Sequence, residues 1–251
     1  MTLFLIGLGL ADEKDISLKG LEAIKHCSKL YLEHYTSKLS CSKEDLEKLY
    51  SKKVELANRE FVESADVLLK EAKESNVALL IIGDPLCATT HWDILQRAKA
   101  QGIKTEIVHN ASIINTIGAT GLQVYKFGKT TSIPFPTEKF SPESYYDILK
   151  ENKSVGAHTL VLLDLDPINN KFMSVNEAIE LLRKIERKRN EKVFLPKDLC
   201  VGIARLGAKD QKIVAGTVIA VSDADFGPAP HCLVVPGKLH FVEEEALRCW
   251  K

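Results

Sequence analysis

The sequence predicts an α/β protein with two α/β domains, and three observations support this prediction. Two short apolar runs, 3–6 and 79–82, each stop at a glycine, as buried parallel strands do where they enter a loop. Strand and helix patterns alternate in the first half of the chain, which is typical of a mainly parallel sheet. Short strands follow one another in the second half, which favours a mixed sheet. We therefore expect an N-terminal domain over 1–112, a C-terminal domain over 113–251, and a ligand cleft between them.

The first half begins with the strand 3–6, which leads into the turn Gly7-Leu8-Gly9. Ser17 is a suitable N-cap for a helix that runs toward Cys27, and Ser42 with Asp45 forms the capping pattern of another helix. The remaining elements predicted here are a strand over 30–32, a helix over 62–74, a strand over 77–82, a helix over 91–100 and a strand over 106–108. Strands separated by helices predict right-handed crossovers and a parallel sheet.

The second half of the chain has a different pattern of predicted elements. Residues 112–120 predict a helix of small residues that ends at Gly121, and the polar stretch 134–144 predicts a connection between domains. Ser174 and Glu177 form a capping box, which opens a helix that ends near Arg189. Strands are predicted over 159–163, 200–204, 212–217 and 231–235, followed by a terminal helix over 239–250.

The composition argues against several classes of protein. The 251 residues include 34 Lys and Arg against 34 Asp and Glu, so the charge gives no general reason to bind nucleic acid or an anionic membrane. The chain has no run of about 20 apolar residues, the length of a membrane span, and it starts with a strand instead of a basic leader. Its six cysteines form no C-x-x-C pair. We expect reduced thiols, a cytoplasmic location and no bound metal.

The first glycine turn does not by itself define a ligand. A dinucleotide-binding turn needs a third glycine where this chain has Asp12, which argues against a dehydrogenase. A phosphate-binding P-loop needs a Gly-Lys-Ser/Thr sequence, and none follows here. The turn therefore indicates only that backbone approaches something closely.

The second glycine turn carries more chemistry. Asp84 places a carboxylate at a strand end beside Gly83, and Thr89, Thr90 and His91 follow within the same loop. Each has a purely structural alternative: Asp84 as an Asx-turn residue, Thr90 as a helix N-cap, His91 as a surface residue. Together they place a carboxylate, hydroxyls and an imidazole beside glycine backbone, which favours a binding site.

Seven motifs in the chain resemble those of one enzyme family, the diphthine synthases. This family belongs to the tetrapyrrole-methylase (class III) group of S-adenosylmethionine (SAM)-dependent methyltransferases. The motifs are 5–10 (LIGLGL), 83–91 (GDP followed by ATTH), 110–113 (NASI), 121–128 (GLQVYKFG), 173–178 (MSVNEA), 202–207 (GIARLG) and 231–240 (HCLVVPGKLH). They occur in family order over nearly the whole chain.

The resemblance implies a fold, a reaction and partners. It implies a tetrapyrrole-methylase-like fold that binds SAM in the cleft between two domains, and a homodimer. The implied activity, in diphthamide biosynthesis, is methylation of a 3-amino-3-carboxypropyl-histidine on translation elongation factor 2. The amine receives three methyl groups, and the eukaryotic branch, which 173–176 resembles, also forms a carboxylate methyl ester. The alternative is a methyltransferase of the same group that acts on a tetrapyrrole intermediate or on ribosomal RNA.

The resemblance also implies a set of SAM-binding residues. They are Leu10, Asp84, Cys87, Ser112, Ile113, Leu163, Leu206 and His231. The family usually has glycine at the position of Cys87, and we expect the contact there to be made by backbone. His91 is a candidate general base for the substrate amine. Two further features have a functional and a structural interpretation: Arg205, as partner of the substrate carboxylate or in a surface ion pair, and the basic residues between 183 and 192, as a docking face or as partners of the helix dipole.

Overall fold

The computed structural model describes residues 1–251, and the chain divides into two compact units, Met1–Ile114 and Asn115–Lys251. The domain boundary expected from the sequence lies two residues earlier. The polar stretch 134–144 lies inside the second unit, so the prediction that it connects two domains was wrong. No helix in the chain combines the length and apolar character that crossing a bilayer requires.

The first unit contains a five-stranded sheet in the order β3-β2-β4-β1-β5, and every strand pair is parallel, as predicted. The strands are β1 (Thr2–Gly7), β2 (Lys29–Glu33), β3 (Glu55–Ala57), β4 (Val77–Ile81) and β5 (Lys104–Val108). The α-helices are α1 (Leu18–His26), α2 (Lys43–Tyr50), α3 (Arg59–Ser64), α4 (Asp66–Ala72) and α5 (Trp92–Ala100). The short helix α6 (Ile113–Thr116) crosses from the first unit into the second.

The strand β1 shows why its sequence is apolar at consecutive positions. Side chains alternate between the two faces of a strand. Leu3 and Leu5 pack in one core cluster with residues of α4 and α5, whereas Phe4 and Ile6 pack in another with residues of α1 and α2. Helices therefore cover both faces of the sheet, which is the usual environment of parallel strands.

The helix predicted over 62–74 is interrupted. Ala65 has a φ of 52°, in the left-handed region, and separates α3 from α4. Its methyl group is fully buried and its N–H donates to the carbonyl oxygen of Phe61. Because alanine is the strongest helix former, local propensity could not reveal this break; packing of the buried residue outweighs propensity here.

The second unit contains a mixed five-stranded sheet in the order β11-β10-β12-β7-β6, in which only the pair β6–β7 is parallel. Its strands are β6 (Thr131–Ile133), β7 (Thr159–Leu163), β10 (Leu199–Ala204), β11 (Lys212–Thr217) and β12 (His231–Val235). A separate antiparallel pair is formed by β8 (Leu165–Asp166) and β9 (Lys171–Phe172). The α-helices are α7 (Ser144–Ser154), α8 (Val175–Arg189), α9 (Val218–Ser222) and α10 (Phe241–Arg248).

The segment 241–250 is tied to the rest of the second unit at several points. Glu243 of α10 is fully buried and accepts a hydrogen bond from the amide of Gln123 at 2.9 Å. Nε1 of Trp250 donates to the carbonyl oxygen of Thr120 at 3.0 Å, and the carbonyl oxygen of Trp250 accepts from the amide of Ala215 at 2.8 Å. The last helix is therefore an integral part of this unit.

Candidate functional site

The two glycine turns are hydrogen-bonded to each other. β1 and β4 are neighbours in the sheet, so their carboxyl ends meet at one edge. The amide of Gly83 donates to the carbonyl oxygen of Gly9 at 2.8 Å, and the amide of Gly9 donates back to Gly83 at 3.3 Å. A Cβ atom on Gly7 would lie 2.6 Å from the carbonyl oxygen of Gly83. The close approach of the two backbones therefore requires glycine.

Asp84 is buried and organises this edge of the sheet. Its Oδ1 accepts from the amide of Leu86 at 2.9 Å, the bond of an Asx turn. Its Oδ2 accepts from the amide of Asn110 at 3.1 Å and lies 2.8 Å from Nδ1 of His109. Burial raises the pKa of Asp84, but the hydrogen bonds from Leu86, His109 and Asn110 outweigh burial and lower it. The carboxylate is therefore ionised at neutral pH.

The structure brings the predicted cofactor residues of the first unit together. Cys87 is half-buried, and its thiol lies close enough to Ser112 and Asp84 for both to act on its pKa. A Cβ atom on Gly83 would lie 3.6 Å from Cβ of Ser112, at ordinary contact distance. Leu10 follows the bridged Gly9 and Ile113 follows Ser112, and both of these side chains are half-buried.

The loop that follows Asp84 ends at His91, which is buried. Its Nδ1 lies 3.0 Å from the carbonyl oxygen of Pro85, and its Nε2 lies 2.7 Å from Oε2 of Glu33. Sequence reasoning expected His91 at the surface or as a general base. The structure gives both ring nitrogens acceptor partners, so neither offers a lone pair to a substrate.

The predicted cofactor residues of the second unit lie at one end of its sheet. Leu162 is paired with Cys232 and Ala204 with His231. Leu163 on β7 and His231 on β12 therefore occupy neighbouring positions, and Leu206 lies in the turn after the adjacent strand β10. Nε2 of His231 faces the carbonyl oxygens of Gly227 and Pro228, at 3.1 and 3.0 Å. Burial lowers the pKa of His231. Its buried Nδ1 has no partner, which leaves one acceptor lone pair unused.

Arg205 is occupied within its own unit. Its guanidinium donates to the carbonyl oxygen of Phe226 at 2.8 Å, to that of Pro228, and to Oδ2 and the carbonyl oxygen of Asp210 at 2.7 and 2.9 Å. These contacts hold the loop before His231 and favour a structural role for Arg205 over binding of a substrate carboxylate.

Three basic residues at the end of α8 are likewise paired with neighbouring acids. Arg187 pairs with Glu180 at 2.6 Å, Lys188 with Glu143 at 2.8 Å, and Arg189 with Asp147 at 2.6 Å and Glu191 at 3.0 Å. Arg187, Lys188 and Arg189 are therefore paired within their own unit, whereas Lys184 and Lys192 are exposed. No group of three or more His, Cys, Asp or Glu side chains is placed to hold a metal ion.

Sequence reasoning missed several residues that build the site. Asp15 accepts from the amides of Leu10 and Ala11 at 3.0 and 2.7 Å. Nδ2 of Asn110 donates to the carbonyl oxygen of Gly7 at 2.9 Å and so ties the first turn to the end of β5. Asn110 was visible as part of a motif, but its role depends on the sheet order, which the sequence alone does not reveal.

Comparison with known proteins assigns the family. Residues 2–221 match the family model of the tetrapyrrole (corrin/porphyrin) methylases. The diphthine methyl ester synthase of Dictyostelium discoideum is 48% identical, over 98% of this chain and 96% of that protein. The human diphthine methyl ester synthase is 46% identical, over 98% of this chain and 93% of that protein. A crystal structure of diphthine synthase superimposes with a TM-score of 0.90 at 37% identity, covering 100% of this chain and 96% of that one.

These comparisons confirm the resemblance, the α/β fold and the class of enzyme that the motifs predicted. The family model spans most of the chain, and full-length relatives share nearly half of its residues. The chain therefore belongs to the tetrapyrrole (corrin/porphyrin) methylases and is a SAM-dependent methyltransferase of that family.

Proposed function

We propose that this enzyme methylates the 3-amino-3-carboxypropyl-histidine of translation elongation factor 2, with three transfers to the amine and one to the carboxylate, giving diphthine methyl ester. The relatives that match it from end to end are called diphthine methyl ester synthases. The structural observation that carries the proposal is the pair of hydrogen-bonded glycine turns around the ionised carboxylate of Asp84.

The residues present fit SAM as the methyl donor. SAM offers an ammonium group, a sulfonium, ribose hydroxyls and an adenine amino group. We propose that the anionic Asp84 serves the cationic or hydroxyl groups, and that the unpaired Nδ1 of His231 accepts from an N–H group of the cofactor. Leu10, Ile113, Leu163 and Leu206 would supply apolar contacts to its adenosine, while Cys87 and Ser112 border Asp84.

Methyl transfer from SAM requires the protein to position the reactants more than to supply acid–base groups. Bound SAM supplies a methyl carbon already activated by its sulfonium. The protein binds and orients both reactants and excludes water, and alignment of this kind contributes up to about 7–11 kcal/mol. An α-amine with a pKa of about 8 is partly deprotonated at neutral pH, so water can take its proton. The geometry of His91 removes the reason to assign it that task.

The activity is tested by incubating the enzyme with labelled SAM and elongation factor 2 that carries the unmethylated side chain. Mass spectrometry of the product should show four methyl groups on that residue. Elongation factor 2 without the 3-amino-3-carboxypropyl group is the control and should gain none. Methyl transfer to a tetrapyrrole intermediate or to ribosomal RNA, with none to the factor, would contradict the proposed substrate.

The cofactor residues are tested by a matched pair of carboxylate substitutions. Asp84→Asn removes the buried charge and turns one acceptor into a donor that faces other donors. We expect it to weaken SAM binding by about 10–100-fold, since hydrogen bonds to charged groups are worth about 1.5–3 kcal/mol. Asp93→Asn removes an exposed carboxylate that pairs with Arg97, and should leave the affinity within about twofold. Isothermal titration with SAM distinguishes the two, and equal affinities would contradict the assignment of Asp84.

We further propose that the enzyme works in the cytoplasm as a homodimer, binds no nucleic acid or membrane, and uses no metal. The scattered cysteines support the cytoplasmic location, and the balanced charge supports the proposal that the enzyme binds neither nucleic acid nor a membrane. The family resemblance supports the dimer. Sedimentation velocity should give the mass of two chains, and a monomer over the working concentration range would contradict it. Transfer should persist in the presence of a chelator.

A further inference from the structure

The residues Glu33 and His91 form a buried pair at the carboxyl edge of the first sheet. Glu33 is the last residue of β2, and His91 closes the loop that leads from β4 to α5. β2 and β4 are neighbours, so the two residues meet although they are far apart in sequence. Nε2 of His91 and Oε2 of Glu33 are 2.7 Å apart, and the exposed fractions of the two side chains are 3% and 0%.

Hydrogen-bond chemistry defines the state of this pair. The carbonyl oxygen of Pro85 can only accept, so Nδ1 of His91 carries a hydrogen. Two lone pairs would repel at 2.7 Å, so a second proton lies between Nε2 and Glu33, although the contact is not well aligned as a hydrogen bond. Burial lowers the pKa of His91, but Glu33 and Pro85 outweigh burial and raise it. The pair shares this second proton and is neutral as a whole.

The same pair closes the loop 84–91 upon itself. The carbonyl oxygen of Pro85 accepts from Oγ1 of Thr89 at 2.7 Å as well as from His91. Between them, Ala88 has a φ of 58°, a conformation that residues other than glycine rarely adopt. Oγ1 of Thr36 donates to Oε1 of Glu33, so the carboxylate is itself held in place. The strained loop is thus fastened at Pro85 and, through His91, to the end of β2.

We propose that Glu33 and His91 are positioning residues that hold the loop 84–91 in its SAM-binding shape. The inference rests on the proposed function, because the loop carries Asp84 and Cys87. Removing either partner leaves a buried group without its counterpart and frees the loop to adopt other shapes. SAM must then select the competent shape, which weakens binding but leaves the bound enzyme able to react.

The experiment compares wild type with Glu33→Gln, His91→Ala and the double variant. Each single variant should bind SAM about 10–100-fold more weakly. The double variant should bind no more weakly than His91→Ala alone, because the two residues act through one contact. At saturating SAM, kcat should stay within about threefold of wild type, since the lost interaction serves binding. His34→Ala removes a neighbouring half-buried imidazole whose Nδ1 faces the carbonyl oxygen of Ala57, and should bind SAM as wild type does.

Hydrogen exchange of the free proteins gives a readout independent of activity. Peptides covering 84–91 should exchange faster in both single variants, whereas peptides covering β1 should not change. If His91→Ala does not fold, Glu33→Gln, which keeps the shape of the side chain, carries the test alone.

The outcomes separate this inference from the proposed function. Variants that bind SAM like wild type, or single effects that add in the double variant, would overturn the positioning role while the methyltransferase assignment stands. A fall in kcat with unchanged SAM affinity would also overturn it and would point to a general base. A wild-type protein that does not bind SAM would overturn the proposed function and this inference together.

Discussion

At the scale of single residues, Gly202 shows how closely the core of the second unit (the second core) is packed. A Cβ atom at this position would lie 2.2 Å from Cζ of Phe226 and 2.9 Å from Cγ1 of Val175. Phe226 is almost fully buried and belongs to the main core cluster of its unit. On the neighbouring strand β11, a Cβ atom on Gly216 would meet nothing closer than 3.4 Å. A methyl group therefore has space at one strand glycine and none at the other.

This contrast predicts different effects of alanine at the two positions. Gly202→Ala should lower the free energy of unfolding by about 1–3 kcal/mol, because the core must shift to admit the added carbon. Gly216→Ala should change it by less than about 0.5 kcal/mol. Urea unfolding followed by circular dichroism measures both. A loss at Gly202 as small as that at Gly216 would contradict the close packing around Gly202.

Glu243 is a fully buried carboxylate that remains ionised. It accepts from the amides of Gln123 and His240 at 2.9 and 2.8 Å, from Nε2 of His158 at 2.9 Å, and from the ammonium group of Lys126. Burial raises the pKa of Glu243, but these donors, Lys126 foremost, lower it to about 2. The amide of Gly237 donates to Nδ1 of His158 and so directs the other ring N–H toward Glu243.

A pH dependence of stability follows from Glu243. Its folded pKa lies below the unfolded value, so its stabilisation is complete above about pH 4.5 and is lost as the pH falls toward 2. Between about pH 6 and pH 3, wild type should lose about 2 kcal/mol more than Glu243→Gln, in which this carboxyl cannot titrate. Urea unfolding at both pH values provides the measurement. Glu244→Gln, which alters an exposed neighbour, should behave like wild type, and equal losses in wild type and Glu243→Gln would contradict the assignment.

At the scale of elements, the helix α8 begins where the sequence predicts it. Oγ of Ser174 accepts from the amide of Glu177 at 3.1 Å, and the Glu177 carboxylate accepts from the amide of Ser174 at 2.7 Å. The capping box predicted from these two residues is therefore confirmed. In contrast, α7 begins after Glu143 without a side-chain cap.

Removal of the α8 cap has a predictable cost. Ser174→Ala leaves the amide of Glu177 without its acceptor and should destabilise the protein by about 1 kcal/mol. Ser144→Ala, at the exposed first residue of α7, should change stability by less than about 0.5 kcal/mol. Thermal or urea unfolding of the two variants decides the matter, and an effect at Ser144 as large as that at Ser174 would refute the capping argument.

Elements with local signals were predicted well, and elements held by tertiary contacts were not. The capping residues Ser42 and Ser174 and the apolar runs of β1 and β4 are local signals, and each marks an element in the structure. The helix α7 was missed, because most of its residues are polar and no capping residue marks its start. The three-residue strands β3 and β6 were missed because their pairing partners, β2 and β7, define them.

At the scale of the whole molecule, the six cysteines differ in accessibility. Cys27, Cys200 and Cys232 are buried, Cys249 is exposed, and Cys41 and Cys87 are half-buried. Burial raises the pKa of both Cys200 and Cys232 to about 12. Because the thiolate is the reactive species, these two thiols should be inert in the folded chain.

We expect a thiol reagent to separate the cysteines into classes. At about pH 8, native protein should be labelled first at Cys249, whereas Cys200 and Cys232 should react only after denaturation. Peptide mass spectrometry of the labelled protein identifies each site. If SAM binds as proposed, it should slow labelling of Cys87 and leave Cys249 unaffected. Early labelling of Cys200 would contradict the packing of the second core.

The candidate site could be predicted in part from the sequence. Two glycine turns at strand ends were enough to expect one site, because the carboxyl ends of parallel strands lie at one edge of the sheet. In the structure, the backbones of Gly9 and Gly83 are hydrogen-bonded to each other. The role of His91 could not be predicted, because its partner Glu33 lies on a distant strand and meets it only through the order β2-β4. Residues act through neighbours that local patterns do not contain.

The ties that hold the segment 241–250 have a consequence for biosynthesis. The five strands of the first unit are complete once residue 108 has left the ribosome, so this unit can mature early. The second unit must wait for Glu243 and Trp250, since until then the amide of Gln123 and the carbonyl of Thr120 lack their bonding partners. During that interval the nascent chain carries one complete unit and a second one in which these backbone groups are still unpaired.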